Sequence, residues 1–321
     1  MAPLPRVDID QPKYDQSTYV GRAKHFFLVT NPLNVLASNK KLEEARQIVL
    51  KYRAGKEVPE CETIEDVWRA KYLYDSAFHP ETGERQIIIG RMSAQMPMNT
   101  LITGGMMAFY QSTRAVVFWQ WFNQTFNAIV NYTNRSGASP VSKSQLLTSY
   151  CLATSGALAT ALSLNRAVKL MNPLVGRLVP LVAVAAGNCI NIPCMRMQEI
   201  RNGIVLLDEK NTEVGVSRKA ACLGISAVIL SRISMAIPGM TMTPVLMNVL
   251  EKRGFLAKYP SWNAPIQTLF CGFVLIFATP MGCAFFRQRA AIKVASLETK
   301  VRENIQKKRP DLDTVWYNKG L

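Results

Sequence analysis

The chain has 321 residues, of which 49% are hydrophobic and only 19% charged, and its formal net charge is +16. Almost all of this net charge lies beyond residue 100, where basic residues flank long apolar stretches instead of forming one basic face. The pattern predicts a multi-pass membrane protein and argues against nucleic-acid binding. The seven cysteines and two histidines have no metal-ligand spacing, so no metal and no cofactor are expected.

The first 98 residues predict a soluble, mostly helical region. Between residues 40 and 54 the apolar side chains recur at helical spacing, on one face. Thr63 and Asp66 have the spacing of a capping box, in which each side chain accepts a hydrogen bond from the other residue's backbone amide. A second amphipathic helix is therefore expected to begin at Thr63.

A polar motif follows these helices. Its members are His79, Pro80, Glu81, Thr82, Gly83 and Glu84. Pro80 and Gly83 are turn-forming residues, and no nucleophile motif or Gly-rich phosphate loop accompanies His79. We expect a structural turn and no catalytic residue, so the chain is not predicted to be an enzyme.

Long uncharged runs fill the next two hundred residues. A bilayer core about 30 Å thick needs about 20 mostly apolar residues in a helix. Four segments satisfy this requirement, roughly 145–165, 175–194, 230–250 and 265–286. The stretch from 92 to 134 is interrupted by Arg114 and predicts either one span near 101–121 or two shorter helices.

Carboxamide side chains recur inside these apolar segments. Asn123, Asn127 and Asn131 share one face of a helix, and Asn188 and Asn191 occur in a later span. Unpaired polar groups are costly in hydrocarbon, so these side chains should face the interior of the bundle. Two purposes remain open: interhelical hydrogen bonds that hold the helices together, or a neutral polar pocket for a small solute.

The tail predicts a basic amphipathic helix between residues 289 and 308. Its apolar face consists of Val294, Leu297, Val301 and Ile305. Such a helix lies on an anionic membrane surface or is simply solvated. The sequence thus predicts an all-α protein of about five transmembrane helices, with a soluble region (1–98), a bundle (99–286) and a basic tail (287–321).

Several phrases of the sequence resemble the sideroflexin family. They are HPETGE at 79–84, RMSAQMPMN at 91–99, NYTNRSG at 131–137, NCINIP at 188–193 and NKGL at 318–321. The resemblance runs over essentially the whole chain. It departs from the usual family motif at Glu81 and Arg85, where the family has aspartate and lysine.

The resemblance implies a mitochondrial inner-membrane protein that lacks a cleaved presequence. It also implies transport of serine, and of other small neutral amino acids, into the matrix for one-carbon metabolism. Five spans would put the N-terminal region in the matrix and the tail in the intermembrane space. The alternative is a non-transporting scaffold in the lipid bilayer, which binds other membrane proteins and assists complex assembly or iron homeostasis.

Overall fold

The computed structural model describes residues 6–79, 82–109, 112–134, 142–168 and 178–320. It is mostly helical, at 71%. The helices of the described residues are α1 (Tyr19–Val29), α2 (Asn39–Arg53), α3 (Ile64–Asp75), α4 (Gln95–Phe109), α5 (Thr113–Thr133), α6 (Lys143–Val168), α7 (Val179–Met195), α8 (Met197–Asn202), α9 (Arg218–Lys252), α10 (Phe255–Lys258), α11 (Asn263–Cys283) and α12 (Thr299–Lys308). The strands are β1 (Ile204–Leu207), β2 (Glu213–Ser217), β3 (Arg289–Lys293) and β4 (Thr314–Asn318).

Helices α1 to α3 form an N-terminal unit with its own apolar core. The predicted helix between 40 and 54 is confirmed as α2, which buries Leu42 and Val49 against α3. The predicted capping box is also confirmed. The Asp66 amide donates to Thr63 Oγ1 at 3.3 Å, and the Thr63 amide donates to Asp66 Oδ2 at 3.0 Å.

The ambiguous stretch from 92 to 134 forms two helices, α4 and α5. Ser112 ends the break between them, because its Oγ accepts a hydrogen bond from the Ala115 amide and caps α5. Helix α4 lies antiparallel to α11 at very short range. A Cβ added to Gly104 would stand 2.7 Å from Thr268 Oγ1, and one added to Gly272 would stand 2.7 Å from Thr100 Cγ2. Glycine at both positions allows the close approach.

Three described segments are long and apolar enough to cross a membrane, namely Lys143–Leu164, Arg218–Lys252 and Pro260–Cys283. Helix α7 is apolar but shorter, and the polar side chains of α5 keep it out of this group. The prediction of a multi-pass membrane protein is supported, whereas the number of five spans is not confirmed.

A small sheet corrects the expectation of an all-α fold. Its antiparallel strands have the order β2-β1-β4-β3. The tail therefore begins as strand β3, and its helix α12 starts only at Thr299. Val294, Leu297 and Ile305 are buried against the sheet, so this apolar face serves a protein core and not a membrane surface.

The N-terminal unit and the sheet lie at the same end of the bundle. Arg287 Nη2, in the segment after α11, donates to the carbonyl oxygen of Ser17 at 2.8 Å. Gln86 Nε2 donates to Asn134 Oδ1, at the C-terminal end of α5, at 3.0 Å. The two ends of the chain therefore lie at the same end of the bundle, which argues against the expected placement of the termini on opposite sides; that placement stays a prediction. The break before Ser112 is the reason, because it adds one helix and reverses the direction of every later one.

Candidate functional site

One face of α5 carries buried carboxamides. Asn123 is 5% exposed, and its Nδ2 has no hydrogen-bond partner in the part of the chain that the structure describes. Gln124 is 1% exposed, and neither its Oε1 nor its Nε2 has a partner among the described residues. A buried amide group without a partner costs about 1–3 kcal/mol. These groups are therefore unusual features of the bundle interior, and they can donate to or accept from a solute.

The centre of the site is a contact between three helices. Asn131 Nδ2 on α5 donates to Asn191 Oδ1 on α7 at 3.3 Å. Arg232 Nη2 on α9 donates to Asn131 Oδ1, also at 3.3 Å. Both bonds are at the long end of the normal range, so a competing partner can displace them at small cost. The sequence predicted that Asn131 and Asn191 both face the bundle interior, and the structure brings them into contact.

Gly187 provides the space for the Gln124 side chain. A Cβ added to Gly187 on α7 would stand 2.2 Å from Gln124 Nε2, well inside contact distance. The next residue, Asn188, is buried at 8% exposure. Two adjacent residues of α7 thus contribute to the site: Gly187 leaves space for the Gln124 carboxamide, and Asn188 supplies a carboxamide of its own. Asn127 is half-buried on α5, between the Gln124 level and the Asn131 level.

Asn134 has a different role, because it lies at the end of the helix. It is the C-cap residue of α5. Its Nδ2 donates to the carbonyl oxygens of Gly90 and Val130, both at 2.9 Å. This side chain therefore joins the bundle to the segment that follows the polar turn.

The turn itself is held by local hydrogen bonds. The His79 amide donates to the Glu84 carbonyl oxygen at 2.8 Å, and the Thr82 amide donates to His79 Nδ1 at 3.2 Å. Gly83 has a φ of +65°, which favours glycine. Pro80 and Glu81 lie outside the described residues. The bonding of His79 supports the structural interpretation of this motif.

Basic groups lie near the sheet, at one end of the amide face, which consists of Gln120, Asn123, Gln124, Asn127 and Asn131 on α5. Lys319, just after β4, is only 4% exposed. Its backbone packs on α9, where a Cβ at Gly224 would stand 3.3 Å from the Lys319 carbonyl oxygen. Burial lowers the pKa of the Lys319 ammonium, and the nearby charges of Arg196 and Arg232 lower it further, although Cys283 has the opposite effect. The positive charges of Lys319 and Arg196 therefore lie close together, since Arg196 Nη1 donates to the Lys319 carbonyl oxygen at 2.8 Å.

Sequence reasoning missed three residues of this site. Gln120 and Gln124 are fully buried on the same face as the asparagines. Their spacing from Asn127 and Asn131 was a usable signal, because they continue the same helical stripe. Lys319 gave no local signal, since its burial depends on the sheet.

The described residues also contain a cavity of about 220 Å³ between α1, α4 and α11. It is lined by Phe27, Thr30, Asn31, Pro32, Met96, Leu275, Ile276 and Pro280. No member of the amide face contributes to it. Among the described residues, no group of three His, Cys, Asp or Glu side chains is placed to hold a metal ion.

Comparison with known proteins identifies the family. The family model for sideroflexins matches residues 8–321. The chain belongs to the sideroflexin family. It is 82% identical to Sideroflexin-1-3 of Drosophila melanogaster over 321 residues, which covers all of both chains. It is 55% identical to human Sideroflexin-1 over 317 residues, which covers 99% of this chain and 98% of the relative.

Sideroflexin-3 of Rattus norvegicus is also 55% identical, over 322 residues and all of both chains. No solved structure matches this sideroflexin. The family match includes α5, α7, α9 and the tail. The amide face and the buried Lys319 therefore both belong to the sideroflexin part of the sequence.

Proposed function

We propose that this sideroflexin carries serine, and other small neutral amino acids, across the mitochondrial inner membrane into the matrix, and that it catalyses no chemical reaction. The observation that carries the proposal is the Asn131 contact with both Asn191 and Arg232, beside buried amides that have no partner. Carboxamides suit a zwitterion with a hydroxyl group because they offer donors and acceptors without a fixed charge.

The three-helix contact also supports transport by alternating access. Asn131, Asn191 and Arg232 come from α5, α7 and α9, so a relative movement of these helices would open or close the proposed site. Its two bonds of 3.3 Å are weak enough to exchange for bonds to a solute. A contact that only holds the helices together would be expected to have shorter hydrogen bonds and no unpartnered amide groups beside it.

The test is uptake of labelled serine by liposomes that contain the purified protein. Asn191→Ala removes one partner of Asn131, and Asn39→Ala is the matched control because Asn39 is exposed in the N-terminal unit. Loss of a buried partner costs about 1–3 kcal/mol, or roughly 5- to 150-fold in uptake at low serine concentration. We expect this loss for Asn191→Ala, with an unchanged melting temperature, and no loss for the control.

Membrane interhelical hydrogen bonds average roughly 0.6 kcal/mol. If Asn191→Ala lowers stability and uptake in proportion, the amide face only holds the helices together. If the folded native protein takes up no serine, the transport proposal is wrong and a scaffold role replaces it.

A further inference from the structure

Among the described residues, two cations near the sheet have no carboxylate partner, namely the buried Lys319 and the half-buried Arg232. Lys319 has 4% of its surface exposed, and the hydrogen bonds that it makes to described residues come from its backbone. Arg232 donates one bond, to the neutral Asn131. A buried charge without a counter-charge is strongly unfavourable. The burial of the Lys319 charge therefore points to a ligand of opposite charge.

The two cations come from parts of the chain that have no local reason to meet. Arg232 belongs to α9, whereas Lys319 follows the central strand β4. The Ser231 hydroxyl donates to the Gly282 carbonyl oxygen at 2.6 Å and fixes α9 against the end of α11 at this level. Gly224 lets the Lys319 backbone approach α9, since a Cβ at this position would stand 3.3 Å from the Lys319 carbonyl oxygen. These contacts fix the backbone positions of both cationic residues.

Arg196 marks the outer edge of the same region. Its Nη1 donates to the Lys319 carbonyl oxygen at 2.8 Å, and its Nε donates to Glu199 at 3.0 Å. Arg196 is thus already neutralised, unlike the two inner cations. The charge that remains for a ligand is that of Lys319 and that of Arg232, whose Nη2 lies 3.3 Å from Asn131 Oδ1.

We propose that Arg232 and Lys319 form a buried binding site for the carboxylate group of a small amino acid. A guanidinium presents two parallel donors to a carboxylate, and an ammonium adds a third donor without a fixed direction. The amides of Asn131 and Asn191 then face the remaining polar groups of the same molecule. The inference deepens the proposed function, because it assigns which end of the solute lies toward the sheet.

The experiment measures thermal stabilisation of the purified full-length protein by three probes. Serine carries both charges, glycolate carries the carboxylate and hydroxyl without the amine, and serinol carries the amine and hydroxyls without the carboxylate. We expect serine and glycolate to raise the melting temperature, and serinol to leave it unchanged. Arg232→Gln and Lys319→Gln should each weaken the apparent affinity for serine roughly 10- to 100-fold, the range for hydrogen bonds to charged groups.

Two exposed residues supply matched controls. Arg218→Gln removes the same charge from the start of α9, and Lys300→Gln removes one from α12, and both positions are exposed. Neither control should change the response to serine. If either of the two site variants unfolds, Arg232→Lys and Lys319→Arg keep the charge and should retain stabilisation by glycolate.

The possible outcomes separate this inference from the proposed function. If serine uptake occurs but both site variants respond to serine like the controls, the carboxylate site is wrong and transport stands. If glycolate stabilises the protein through both cations while no serine uptake occurs, the site stands and transport is wrong. If both variants change the melting temperature only without probe, the cations serve a contact within the chain and the inference fails.

Discussion

Arg22, in the first helix of the chain, donates a 2.7 Å hydrogen bond from Nε to the carbonyl oxygen of Ala284, at the end of α11. The bond joins residues that are 262 positions apart. Arg22 is 7% exposed, and burial lowers the pKa of its guanidinium without removing the charge. The N-terminal unit is therefore attached to the end of the last apolar helix.

This contact predicts the topology in the membrane. Tags fused to the two ends of the chain should both be on the same side, because the N-terminal unit and the sheet contact the same end of the bundle. Protease treatment of sealed vesicles should cleave both tags or protect both. A tag inserted after Arg253, at the opposite end of α9, is the control and should behave in the reverse way. Cleavage of only one terminal tag would restore the arrangement with five spans.

A second prediction concerns the fit between Gly187 and Gln124. Gly187→Ala should destabilise the protein by about 1–3 kcal/mol, because the new Cβ would stand 2.2 Å from Gln124 Nε2. Alanine alone would otherwise favour a helix interior by about 1 kcal/mol over glycine.

The double variant Gly187→Ala with Gln124→Ala is the decisive control. It removes the clash, so its melting temperature should be well above that of Gly187→Ala alone. Additive losses in this double-mutant cycle would show that the two side chains do not compete for the same space.

A third prediction concerns the polar turn. His79→Ala removes the acceptor of the Thr82 amide and should cost about 1–3 kcal/mol. The amount of folded protein should fall more than serine uptake per folded molecule. Glu84→Gln is a suitable control, since Glu84 is exposed in the same turn. Normal accumulation of the His79→Ala protein together with absent uptake would instead make the turn a gating element.

A fourth prediction concerns Asp208, between β1 and β2. Hydrogen bonds from the backbone amides of Thr212 and Lys210 lower the pKa of this carboxyl, and Arg309 lowers it further. The charged Asp208 carboxylate therefore stabilises the fold at pH values above the ordinary pKa of aspartate. This stabilisation is lost as the pH falls through the lower pKa of the folded state. Asp208→Asn should therefore reduce the stability of the sheet at neutral pH.

The difference in sheet stability between the native and Asp208→Asn proteins should shrink as the pH falls below about 4. Hydrogen exchange of residues 204–217 measures it directly. Glu209→Gln, an exposed neighbour, should show no such difference. If the difference in sheet stability between the native and Asp208→Asn proteins is the same at pH 7 and pH 3, the charge of Asp208 is not its cause.

Local patterns predicted the helices well and the sheet not at all. The apolar runs anticipated α6, α7, α9 and α11, because a span must be long and apolar wherever it lies. The pairing of Leu207 with Trp316 joins strands more than 100 residues apart, and no local period reveals such a partner. The apolar positions of the tail were recognised, but the helical period assigned to residues 289–293 was wrong.

The candidate site divides in the same way. Helical spacing alone predicted that Asn123 and Asn131 share one face, and burial of Asn123 agrees with an interior position. The contact of Asn131 with Arg232 required the packing of α5 on α9 and could not be read from spacing. The burial of Lys319 required the sheet, whose existence the sequence did not suggest.

The strand order has a consequence for the assembly of the protein. Strand β4 lies between β1 and β3, yet it comes after all the apolar helices in the chain. Closing a contact between distant residues is slow, because the intervening chain must first lose conformational freedom. The helices can thus enter the bilayer while the sheet still lacks β4. Pairing of β4 with β1 and β3 would then be the last step of folding, and Lys319 would reach α9 only in a fully assembled molecule.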